Sequence, residues 1–66
     1  MKDGWHLIQG KSVYVENGYI VRAMKNNNTL PAYVYRSCKT GGWDLEEKIT
    51  PATFSAGVRR GTIDVF

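Results

Sequence analysis

The chain carries one histidine, His6, and one cysteine, Cys38. A thiol beside an imidazole is the smallest nucleophile–base pair, but a working pair needs a third group to orient the base. The sequence marks no such group, and the two residues fall in separate segments. One His and one Cys also fall short of a zinc ligand set. Asp44 and Glu46 alternate with Trp43 and Leu45, and Glu47 follows. Alternation of this kind describes a strand with a solvated face, not an acid–base pair or a metal cluster. "TGGW", Thr40 to Trp43, lacks the Walker spacing and its Lys-Ser/Thr ending. An enzyme, a cofactor and a bound metal ion are therefore not expected.

The basic and aromatic residues offer more. Arg59 and Arg60 are adjacent; with Lys48, and with Arg36 or Arg22, they are candidate phosphate contacts. Such contacts give affinity without sequence choice and weaken steeply with salt. Tyr33 and Tyr35 lie two apart and precede Arg36, so one side of a strand carries both rings. On an open sheet, rings at that spacing can stack bases. The competing structural roles are plain. Arginines in a last helical turn favour the dipole, and strand tyrosines pack across a sheet. Trp5 and Trp43 read as core anchors, and Asn26 to Asn28 as a plain loop. Zinc-finger spacing and the aromatic motif of RNA-binding sheets are both missing.

These residues must be positioned by a short chain. It has 66 residues, 42% hydrophobic and 23% charged, with a net charge of +3. That is globular composition in one domain, 1–66. Chains below roughly 70–80 residues rarely have stability to spare. A lone cysteine rules out an internal disulfide, which leaves tight packing or a partner. The mild excess of Lys and Arg permits nucleic acid or an acidic partner. "MKDGWHLIQG" contains no secretory apolar run, and no segment approaches the ~20 apolar residues of a membrane helix. A reduced thiol without an export signal points to the cytoplasm.

Turn residues divide the chain. Strands are expected over 5–9, 12–16, 19–25, 32–38 and 43–47. Gly10-Lys11 and Asn17-Gly18 are read as two-residue hairpin turns. Asn26 to Pro31 is read as an irregular loop. Helix is expected over 51–60: Thr50 suits the N-cap and Pro51 the first position. Ile49 and Phe54 occupy the two positions of a hydrophobic staple, and Gly61 the left-handed stop. A last strand, 62–65, follows. The fold class is α+β and mostly β: a curved antiparallel meander of five or six short strands, or a small open barrel, with one helix near the C-terminus.

With both turns in place, one face of the first three strands carries Trp5, Leu7, Tyr14, Tyr19, Val21 and Ala23. The other carries His6, Ile8, Val13, Val15, Ile20, Arg22 and Met24. A slip in either turn is expected to exchange the faces. Arg22 sits in the middle of the second face, and an unpaired arginine is almost never buried. The helix, through Phe54 and Val58, is therefore expected on the tyrosine face. The aliphatic face needs another cover: later strands curling over it, or a second chain. The functional expectation is a small non-catalytic binding module, with nucleic-acid backbone as first ligand. Its rival is a protein–protein adaptor or homodimer using Ile8, Val13, Val15, Ile20 and Met24.

Overall fold

The structure, a computed structural model, describes residues 1–25 and 31–66. The loop expected over Asn26 to Pro31 lies outside the described residues apart from Pro31. Four strands form the first antiparallel sheet in the order β1 (Gly4–Ile8), β2 (Lys11–Glu16), β3 (Tyr19–Met24), β4 (Pro31–Ala32). A second sheet has the order β6 (Trp43–Leu45), β5 (Val34–Ser37), β7 (Ile63–Val65). Helix α1 spans Pro51–Arg60 and links β6 to β7. The protein is thus α+β and mostly β; among the described residues there are two antiparallel sheets, a helix near the C-terminus followed by a strand, and no closed barrel.

Both hairpin turns are built from two positive-φ residues, the pattern whose twist matches that of paired strands. Asn17 (φ 53°) and Gly18 (φ 83°) form the second turn as expected. The first uses Gln9 (φ 51°) and Gly10 (φ 74°), one position earlier than Gly10-Lys11. Leu7 therefore faces Ser12, and Trp5 faces Tyr14. Moving a two-residue turn by one position changes the register by two. Side-chain parity survives, so Trp5 and Leu7 still share a side with Tyr14, contrary to the expected exchange.

A β-bulge changes the faces instead. Val15 pairs with Ile20, but Tyr14 pairs with Arg22 and Val13 with Ala23. Val21 is the extra residue, and past it every side chain of β3 points to the other side. Arg22, expected opposite Val13, turns to the Tyr14 side and is exposed, while Ala23 enters the core. Met24 moves with Arg22. The objection to burying the aliphatic face is removed, and that face is the interior.

Val13, Val15, Ile20 and Ala23 pack against Val34, Ile63 and Val65 of the second sheet and against Ile49 and Phe54. Ile8, Ala32 and Val58 close the margin. The helix thus lies on the face opposite the one expected. Later strands do cover the aliphatic side, as one of the two expected covers. The Trp5–Leu7–Tyr14 side is left open. The tryptophans are not core anchors: Trp5 and Trp43 are 45% and 41% exposed.

The helix has the expected bounds. Thr50 Oγ1 accepts from the Thr53 N–H at 3.3 Å, and Gly61 (φ 79°) ends it in the left-handed conformation. Ile49 and Phe54 are both buried, as a staple requires. Ile49 also accepts from the Ile20 N–H, which ties the helix entry to β3. The expected strand 32–38 is broken at Tyr33. Ala32 pairs with β3, whereas Tyr33 exchanges two 2.9 Å backbone hydrogen bonds with Phe66. The chain crosses between sheets at this residue.

Candidate nucleic-acid interface

On the second sheet, Val34 and Val65 point inward, so alternation sends Tyr33, Tyr35 and Phe66 outward. Trp43 joins them from β6, where it pairs with Ser37. Phe66 is the hub. Its ring lies edge-to-face with Tyr35 at 5.3 Å and with Trp43 at 5.4 Å. Tyr33 and Phe66 are 53% and 46% exposed. Two cations stand over these rings: Lys25 Nζ 5.7 Å from Phe66, and the Arg22 guanidinium 5.9 Å from Tyr33. Attraction of this kind holds long side chains against a ring while the charge stays wet.

Arg22 also joins this cluster to the open face of the first sheet. There Trp5 and Tyr14 meet edge-to-face at 5.4 Å. They border a shallow concavity of about 430 Å³ with Val21, Arg22, Glu16 and Pro31. Two ring clusters, Trp5 with Tyr14 and Phe66 with Tyr35 and Trp43, thus lie on the outer faces, with Arg22 and Tyr33 between them and Lys25 over Phe66. The sequence pointed to Tyr33 and Tyr35 alone. Phe66 and Trp43 were missed because the sheet pairings that gather them are long-range; Arg22, a candidate phosphate contact, was expected on the other face because the bulge that turns it outward carries no strong local signal.

The candidate phosphate contacts do not form one patch. Arg36 and Arg60 border a second concavity, of about 250 Å³, between α1 and the second sheet. Arg36 Nε pairs with Glu46 at 3.4 Å. Lys48 Nζ is drawn to the Tyr19 ring, 5.5 Å away near the β2–β3 turn. Arg59 is exposed in the last helical turn. The candidate docking residues are mostly internal. Val13, Val15 and Ile20 are fully buried, Ile8 is packed on the core, and Met24 lies half-buried beyond the bulge. An exposed surface built from that set is corrected to a core.

His6 and Cys38 have separate partners. His6 Nε2 lies 2.6 Å from the Lys2 carbonyl, while Cys38 Sγ donates to Asp44 Oδ2 at 2.8 Å. That hydrogen bond, partial burial and the carboxylate's charge all raise the thiol pKa above its ordinary 9.0. A nucleophilic thiol needs the opposite shift. Among the described residues, no three His, Cys, Asp or Glu side chains cluster as metal ligands, and no helix is long and apolar enough to cross a membrane. Comparison with protein-family models, with curated proteins and with solved structures finds no match to this chain.

Proposed function

We propose that this protein is a small non-catalytic module that binds single-stranded nucleic acid across its outer sheet faces. The observation that carries the reading is the gathering of exposed rings, Trp5, Tyr33, Phe66 and Trp43, on the outer sheet faces, with Arg22 and Lys25 standing over two of them. Unpaired bases each present a π-face, so rings accept them in any order. Cations spaced between the rings meet the intervening phosphates. Arg22 and Lys25 fill that role here, whereas Lys48 and Arg59 add only long-range attraction.

The test is fluorescence anisotropy of a labelled oligothymidylate as salt is varied between about 50 and 200 mM. Trp43→Ala and Tyr33→Ala should each weaken binding about tenfold, as loss of a stacked base does. Arg22→Ala should flatten the salt slope by about 0.7, the loss of one single-strand phosphate contact. Absence of binding at low salt, or affinity indifferent to both ring variants, refutes the reading.

A second reading has its own observation. Leu7 is 73% exposed on β1, an edge strand beside Trp5. An apolar side chain on an open edge suits association with another chain. If this face forms a homodimer, light scattering should show mass rising with concentration, and Leu7→Lys should restore the monomer. A wild-type chain that stays monomeric at high concentration removes self-association.

A further inference from the structure

The concavity holding Arg36 and Arg60 has a chemistry the aromatic surface lacks. Arg36 reaches it from β5 and Arg60 from the last turn of α1. Ser37, Thr53 and Thr62 contribute to its wall. Glu46 Oε2 lies 3.4 Å from Nε of Arg36, and the guanidinium carries four further N–H donors on its terminal nitrogens. Thr53 Oγ1 accepts from Thr50 Oγ1 at 2.9 Å, so its own hydrogen is left to donate elsewhere. Helix carbonyls would repel an anion here, but Gly57 O and Val58 O are already occupied. Gly57 O accepts from the Thr62 N–H at 2.9 Å, and Val58 O from the Gly61 N–H at 3.2 Å. The wall therefore offers guanidinium donors from Arg60 and from Arg36, whose charge Glu46 partly offsets, beside the Thr53 hydroxyl; the Thr62 hydroxyl donates to Gly57 O at 3.5 Å.

We propose that this groove binds a phosphate monoester: the phosphorylated end of the strand that the aromatic surface holds. The inference rests on that reading of the surface. An internal phosphodiester carries one charge and two free oxygens. A terminal phosphate carries about −1.5 to −2 at pH 7 and three acceptor oxygens. Two guanidiniums flanked by hydroxyls match the second and are underused by the first, because arginine's planar fork pairs its donors with two oxygens at once. The groove opens on the opposite face of the second sheet, because Arg36 alternates with Tyr35 and Ser37; the two faces meet at the Ser37–Trp43 pair that ends the β5–β6 ladder. A strand leaving the Trp43 end of the stack must turn around this end of the sheet to reach Arg36 and Arg60.

The experiment compares one oligothymidylate carrying a 5′-phosphate, a 3′-phosphate or neither, with inorganic phosphate titrated separately by amide chemical shift. One phosphorylated form should bind on the order of tenfold tighter than the bare strand. Arg60→Ala should erase that preference and leave bare-strand affinity within about twofold. Arg60→Lys, which keeps the charge and loses the fork, should recover only part of it. Inorganic phosphate should shift the amides of Ser37, Thr53 and Thr62, where chloride at equal ionic strength does not. Equal affinity for all three strands overturns the end-binding site while leaving the stacking surface intact. If no strand binds, both fall as strand-binding proposals. Phosphate shifts at the groove would then show that the stacking surface was the mistaken part.

Discussion

Gly57→Ala tests how closely the helix approaches β7. Gly57 is buried in the middle of α1, facing Ile63. A methyl at this position would stand 2.5 Å from Ile63 Cγ1 and 2.8 Å from Ile63 Cβ. Ordinary carbon contacts lie at about 3.5–4.0 Å. The Cγ1 overlap can be relieved by rotating the side chain, but the Cβ overlap cannot, because Cβ is fixed to the strand backbone. Helix and strand must part by about 1 Å. Overpacking of this kind costs about 1–3 kcal/mol. Against it stands about 0.8–1 kcal/mol from the better helix propensity of alanine. Because backbone must move, the upper part of the overpacking range applies, and the net loss is about 1–2 kcal/mol. In a chain of this size, each kcal/mol lowers Tm by about 4–8 °C. Urea and thermal melts followed by circular dichroism measure it, with an unchanged denaturant slope. In an Ile63→Ala background the Cβ overlap persists, so most of the cost should remain. A variant stabilised by its alanine in either background would refute a close approach at Gly57.

Three other perturbations address the core, the bulge and the thiol. Phe54→Ala should cost about 3–5 kcal/mol; at about 0.05–0.15 kcal/mol per residue the whole chain holds about 3–10 kcal/mol. Its amide spectrum should show a large unfolded fraction at 25 °C, and a cooperative fold losing less than 2 kcal/mol would contradict a core centred on this ring. Deleting Val21 removes the bulge yet keeps Arg22 opposite Tyr14 and Ala23 opposite Val13. The chain should stay folded with a dispersed amide spectrum; an unfolded spectrum would show the pairing to be wrong. At Cys38 the fold raises the thiol pKa. Its preference for the protonated thiol is therefore complete below the ordinary 9.0 and lost as pH rises through the raised value. At pH 8 a disulfide reagent should react more slowly with the folded chain than with the unfolded one, and Asp44→Asn should speed the reaction. Equal rates in both proteins would exclude the hydrogen bond as the cause.

Most of the local structure was legible because its signals are local. Thr50, Pro51, Phe54 and Gly61 each satisfy a requirement of one helix end within a few residues, and together they bound α1 without reference to the rest of the chain. Asn17-Gly18 sets its hairpin for the same reason. Gly10 marked a turn but not which of its neighbours would share it. The left-handed position can be filled by glycine second, after Gln9, as readily as first, before Lys11. The break at Tyr33 had no local mark, since what divides β4 from β5 is a change of partner from β3 to Phe66.

The choice of interior turned on one residue's orientation. Arg22 argued correctly that a face bearing an unpaired charge stays wet; the error was the assumption that β3 alternates without interruption. A bulge costs part of a ladder, and here it removes a guanidinium from a position between Val13 and Ile20. Leaving it there would cost several kcal/mol, far more than a locally disrupted pair. The same event creates the candidate site. Turned outward, Arg22 comes to the Tyr33 ring and bridges the aromatic groups of the two sheets. An arginine in the middle of an otherwise apolar strand is thus two signals at once: an irregular register, and a charge available on the opposite surface. Val21, which interrupts the pairing, contributes to both the packing of the core and the layout of the proposed binding face.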